Sequence, residues 1–306
     1  MSRVVVVRFS GASNDGRLDK EAYHAMLAAG LKALAGKRDT QESIRSFLPD
    51  GVIGMKTNCI ARKLNSTPVA LVGALSQILV DSGMDDNNIL VWERTNRELK
   101  QAGYELNASS FGRRCFGTDT EQAGYGRTFY TSGDVSSLVS RILTDTARYN
   151  INVSVLKDHS MAGLSAGMKN MYGAINNPNK YHDNGCDPYV AHVNALDPIK
   201  NKNRLSVIDA VRVQYNGGPG YIGSYVDYYG GLILSNDPVA ADSIALDILE
   251  HLRQKNSQPP LAAVKREVKY LRSAQEIGLG VTDRTAIDLK VLAVDSNGSY
   301  RTGELL

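Results

Sequence analysis

Cysteine is scarce in this chain: Cys59, Cys115 and Cys186 are all there is, odd in number and far apart. That spacing encodes neither a disulfide framework nor a CxxC-type zinc or iron–sulphur knuckle, so reduced thiols are expected. Long apolar runs are missing too. Nothing approaches the ~20 apolar residues of a membrane span. The N-terminal MSRVVVVRFSGAS, its valines interrupted by Arg8, suits a first strand better than a signal peptide. The expected setting is cytoplasmic by default, although an exported chain stripped of its signal would read the same. Neither charge dominates: 35 Lys+Arg against 32 Asp+Glu leaves +3, without a basic cluster. Nucleic acid and membrane are therefore not expected as partners.

What is present is an ordinary globular composition, 42% hydrophobic and 22% charged. The length suits one large α/β domain or two smaller ones. Short apolar or β-branched runs at 4–9, 51–55, 89–92, 151–156, 205–210, 231–234 and 289–294 alternate with segments of helical spacing. The alternation predicts an α/β fold with parallel or mixed sheets and flanking helices, in two lobes around a cleft, with functional groups beyond the carboxyl ends of the strands. The lobes are expected at 1–140 and 141–306, unless one interrupted domain spans both. The loop 10–17 follows the first strand. Segments 136–149 and 261–271 read as helices, 128–130 as a short edge strand in an otherwise unreadable stretch 101–132, and 295–306 as a loose tail.

The densest collection of reactive side chains lies at 156–192, with three of the five histidines, three lysines and one cysteine. Lone His and Lys beside Gly add little packing or helix propensity, so the collection asks for another explanation. His159 falls in a turn after a strand. Gly163, Ser165 and Gly167 would let backbone N–H groups approach an anion at the amino end of a short helix, 168–172. Lys169 in that first turn opposes the helix dipole, so it either meets an anion, ligates through a depressed pKa, or is merely solvated. His159 and His182 could act as acid and base on opposite faces of a substrate carbon, or hold a transition metal, although their spacing matches no standard zinc pattern. His192 and Cys186 are secondary candidates, the thiol being as readily a packing residue. Lys56 and Asn58 at one strand end, with Lys157, Ser165 and Asn170, are candidate anion-binding residues. Glu93 and Asp209, at other strand ends, are either bases or turn caps. The run 217–220 is either a phosphate cradle or a tight loop.

Lys56-Thr57-Asn58, the Lys157/His159 turn, Gly163 with Lys169-Asn170-Met171-Tyr172-Gly173, His182, Val207-Ile208-Asp209-Ala210, and Ser235 to Ala240 with Asp242 together resemble the bacterial and archaeal family known as domain of unknown function 362. Its members are often fused to ferredoxin-like modules, which implies an electron-transfer partner. Clustered cysteines are absent, so no intrinsic iron–sulphur cluster is expected. More distantly, His159 to Lys169 followed by His182 is similar to the HxxAGxSGGRK…H segment of the nickel-pincer lactate racemase family. That resemblance implies a catalytic or nickel-liganding His159, a cofactor-bonded Lys169 and a further histidine at His182. Ala166 and Met168 depart from it, and Trp92-Glu93-Arg94-Thr95 carries no histidine where that family has one.

The expected function is an enzyme acting by acid–base chemistry, with or without a metal at His159 and His182, on a small anionic substrate, as an epimerase or isomerase does. A redox protein working with iron–sulphur partners and a non-catalytic anion- or metal-binding module are the alternatives.

Overall fold

The computed structural model describes residues 1–11, 16–121 and 123–306, so the predicted loop 10–17 lies partly outside the described residues. The predicted first strand is β1 (Ser2–Phe9). Its valines alternate between two cores, Val4 and Val6 on one face and Val5 and Val7 on the other, as the two-residue period of a strand requires. Then come α1 (Lys20–Ala35), α2 (Thr40–Phe47), β2 (Ile53–Lys56), α3 (Val69–Asp81), β3 (Ile89–Glu93), α4 (Asn96–Ala102) and β4 (Arg114–Gly117). Asp19 caps α1 by accepting from the Ala22 N–H, and left-handed Gly36 ends it.

The middle of the chain departs from expectation. In place of a helix at 136–149 stand a hairpin of β5 (Tyr125–Ser132) and β6 (Val135–Ser140), a single wide turn at Ile142–Thr146, and the start of β7 (Tyr149–His159). Val135, Ser137 and Val139 are buried at every second position, a strand period that the Leu138/Ile142 spacing masks.

Beyond β7 run β8 (Gly163–Ser165), α5 (Gly167–Asn170), α6 (Tyr189–Ala195), α7 (Asp197–Lys202), β9 (Asn203–Gln214), β10 (Val226–Ser235), α8 (Pro238–Lys255), α9 (Tyr270–Glu276), β11 (Ile287–Val294) and β12 (Tyr300–Thr302). The expected helix 261–271 is instead a turn followed by α9, broken where Lys265 takes φ +59°. The expected loose tail pairs with β11 through β12.

Ten strands form one mixed, mostly parallel sheet in the order β12-β11-β1-β10-β9-β7-β2-β3-β4, with β8 folded back on β7. Helices α1 to α4 cover one face and α5 to α9 the other. Because β7, β9 and β10 separate β1 from β2, strands from both halves of the chain interleave. The sheet is continuous across them. Among the described residues no helix is long and apolar enough to cross a membrane.

Candidate functional site

Three parallel strands end at the same place. The carboxyl ends of β2, β3 and β7 deliver Lys56, Glu93 and His159 to one cleft of about 130 Å³, where Ser165, Lys169 and His182 join them. On the order of ten water-sized groups would fill it.

One wall is an internal network. The Lys56 ammonium donates to Glu93 Oε1, to the Thr57 carbonyl at 2.6 Å and to Asn170 Oδ1 at 3.4 Å. All three of its N–H bonds are thus taken. Glu93 is equally engaged, accepting from the Arg94 and Cys59 backbone N–H groups at 2.7 and 2.9 Å. This pair approaches Gly173 so closely that a Cβ there would lie 2.7 Å from Lys56 Nζ. Asn58 Nδ2 donates to Asn170 Oδ1 (3.2 Å), and Asn170 Nδ2 to Asn152 Oδ1 (2.7 Å). Lys157 lies wholly buried beneath, donating to Asn58 Oδ1 (2.8 Å) and the Asn65 carbonyl (3.1 Å), and burial lowers its amine to about 8. Lys56, Asn58, Lys157 and Asn170, expected to hold an anion, chiefly hold one another.

The other wall holds an amine without a carboxylate. Lys169 Nζ lies 3.0 Å from His182 Nε2 and 3.6 Å from the Tyr172 ring centroid, and burial lowers it to about 8. His182 Nδ1 faces the Pro178 carbonyl at 3.0 Å. A carbonyl only accepts, so the proton sits on Nδ1 and the Nε2 lone pair receives a Lys169 N–H. His159 is set the opposite way. Its Nδ1 accepts from the Met161 and Ala162 N–H groups, both at 3.2 Å, which puts its proton on Nε2. Burial, reinforced by Lys169 and His182, pushes His159 down to about 3, so it is neutral at neutral pH. Burial also lowers His182.

The two imidazoles stack with centroids 6.0 Å apart and planes at 26°. A carbon between them would need contact distances summing to about 7 Å. The opposite-face arrangement expected for them is therefore replaced by one in which both histidines share a wall.

The turn that sets this wall is fixed by the protein's own carboxylates. Gly167 and Met168, at the amino end of α5, donate to the two oxygens of Asp242 at 2.8 and 3.0 Å. The helix end expected to face an anionic ligand is instead occupied by a buried side chain of α8, whose carboxyl burial raises to about 7. Likewise the Gly218 N–H, in the predicted 217–220 cradle, donates to Asp158 at 2.9 Å, beside the Arg266 guanidinium at 2.7 Å. Gly163, with φ +74°, passes so close to the Arg266 carbonyl that a Cβ would sit 2.2 Å from it.

The remaining candidates divide. Ser165 lines the cleft, and no hydrogen bond is assigned to its hydroxyl among the described residues. His192 lies elsewhere, its Nδ1 3.0 Å from Ser132 Oγ in the hairpin turn. Cys186 is buried, 3.8 Å from the His182 carbonyl, and burial raises its thiol. Asp209 faces a different cavity. Two groups have roles that the sequence does not assign: Arg94, which lines the cleft and pairs with Glu98 at 2.7 Å, and Asp242, which holds the amino end of α5. The i,i+4 spacing of Arg94 and Glu98 was the available signal for the first.

Among the described residues no three His, Cys, Asp or Glu groups gather in a set that could hold a metal ion. His159 turns its lone pair to backbone amides and His182 turns its own to Lys169. The donors present do not fit a metal.

A family model described as Domain of unknown function (DUF362) matches residues 53–247, the span from β2 into α8 that contains every residue of the cleft. No curated protein matches the chain.

Proposed function

The chain belongs to the DUF362 family, and from the cleft geometry we propose an acid–base enzyme that moves a proton at a carbon beside a carboxylate or carbonyl of a small anion. The observation that carries this reading is the Lys169 amine, 3.0 Å from a lone pair of His182 in a buried wall without a carboxylate. Desolvation keeps a fraction of it neutral near pH 8, and a neutral amine is a base.

In this scheme the Lys169 lone pair takes the proton, and the C–H electron pair moves into an enolate. The neutral His159 donates Nε2–H and Ser165 its hydroxyl to the developing oxyanion. Arg94, half-buried at the cleft wall, retains N–H groups beyond the one on Glu98 and meets the substrate's anionic end. The resulting ammonium returns the proton to the same or the neighbouring carbon. His182 orients the amine. One base on one side favours an isomerase over a racemase that uses two opposed bases. The lactate-racemase likeness retains its His159, Lys169 and His182, but no step is routed through a nickel cofactor.

The test is proton exchange in D2O with a panel of 2-hydroxy and 2-oxo acids, followed by NMR. Deuterium incorporation at the carbon beside the carboxylate of a 2-hydroxy acid, or at the CH beside the ketone of a 2-oxo acid, lost in Lys169→Met, supports the reading; incorporation that survives Lys169→Met removes it. A redox protein would instead exchange nothing and change its visible absorbance with dithionite.

A further inference from the structure

We infer that the cavity on the α1/α3 face of the sheet is a second ligand site, for a small zwitterion with an apolar body: a free amino acid with an aliphatic or aromatic side chain. Its ammonium pairs with Asp209, and its carboxylate faces Arg212 and Lys63. The cavity measures about 250 Å³, nearly twice the first cleft, and Val155 and Val211 form part of its apolar lining.

Two polar groups in it lack the partners that burial demands. Asp209 is 4% exposed, yet among the described residues its carboxylate is bonded only through Oδ1, to the Val211 N–H at 3.2 Å and the Tyr23 hydroxyl at 3.3 Å. No described cation makes an ion pair with it, and burial raises its carboxyl to about 7. A buried carboxylate of this kind is normally paired. Ser66, also lining the cavity, has a buried hydroxyl with no hydrogen-bond partner among the described residues. An ammonium supplies donors to both. Arg212, whose described side-chain hydrogen bond is a 3.5 Å contact to the Tyr221 hydroxyl, and exposed Lys63 carry the complementary charge for a carboxylate.

The inference does not rest on the chemistry of the first cleft. The two cavities share one wall, the loop from Asn58 to Thr67, where Lys157 bridges Asn58 on one side and the Asn65 carbonyl on the other.

Isothermal titration of the full chain with L-leucine, L-valine and L-phenylalanine tests it, with N-acetyl and amide derivatives as controls. The free amino acids bind; removing either charge weakens binding at least about tenfold. Asp209→Asn abolishes binding while raising Tm above pH 7, which distinguishes a lost ligand from a lost fold. Ala70→Leu, which fills the cavity from its α3 wall, also abolishes it. Lys169→Met leaves it unchanged, so the two sites fail separately. No saturable heat at ~10 mM ligand, or binding indifferent to Asp209→Asn, overturns the assignment.

Discussion

The two walls of the first cleft each bury a lysine and treat it in opposite ways. Lys56 meets Glu93 and two neutral acceptors, so its charge is cancelled and its donors are occupied. Lys169 meets an imidazole lone pair and an aromatic face, so nothing cancels its charge and burial weakens its hold on the proton. The difference teaches that a buried lysine is not by itself a catalytic signal. The first wall is scaffold. Lys157, beneath it, is also lowered to about 8, but its ammonium is held by Asn58 and the Asn65 carbonyl, whereas Lys169 lines the cleft itself.

The largest expected effect lies on the second wall. Lys169→Met, which keeps the apolar stem and removes the amine, should lower the exchange rate by about 10²- to 10⁴-fold, the usual contribution of a general base. In the intact protein, kcat/KM should rise with pH through about 8 as the Lys169 ammonium loses its proton. A profile that falls through that range would make the ammonium, not the amine, the working form and would break the contrast between the walls.

The first wall should answer in stability. Removing one partner of a buried pair leaves the other uncompensated, so Glu93→Leu should cost about 3–5 kcal/mol in urea unfolding, while Lys56→Met/Glu93→Leu together should cost much less. Equal losses in the single and double variants would show that the pair is not the organising contact of that wall.

These two walls were unequally legible. His159, Lys169 and His182 fall within one short segment whose glycines and lack of packing value set it apart, so residue type and proximity in sequence suffice to assemble the second wall. Lys56 and Glu93 were visible as strand-end residues, but their pairing depends on β2 lying beside β3, and neither strand states the other's occupant. The strands themselves were readable because strands buried on both faces are short, nearly unbroken apolar or β-branched runs, such as residues 4–7 and 89–92. The hairpin 125–140 was not, because serines at its half-buried and buried positions alike hide the two-residue period of a strand, and Leu138 with Ile142 imitates a helical turn. Asp242 could be placed on a helix but not under α5, a contact that spans 75 residues.

That contact gives a smaller effect with a distinct signature. Asp242→Ala leaves the Gly167 and Met168 N–H groups buried without acceptors and should cost about 1–3 kcal/mol. The pH dependence has a fixed sign. The folded carboxyl titrates at about 7 and the unfolded one near 3.8, so the folded state binds the extra proton between them and loses stability as pH rises through that window. The difference in stability between the protein and Asp242→Ala should therefore shrink from pH 4 to pH 7. A difference that grows instead would mean that the two N–H donors stabilise the carboxylate more than burial penalises it.

The smallest effect sharpens the boundary of the site. His192 belongs to the same reactive stretch of sequence as Lys169, yet its ring turns away to the hairpin and Ser132. His192→Ala should leave proton exchange unchanged and cost about 1 kcal/mol through one lost hydrogen bond. A loss of exchange comparable to that of Lys169→Met would place the hairpin turn within the catalytic wall, because α6 would then have to transmit its position through Asn194, which donates to the Met168 carbonyl at 2.9 Å, one residue before the amine.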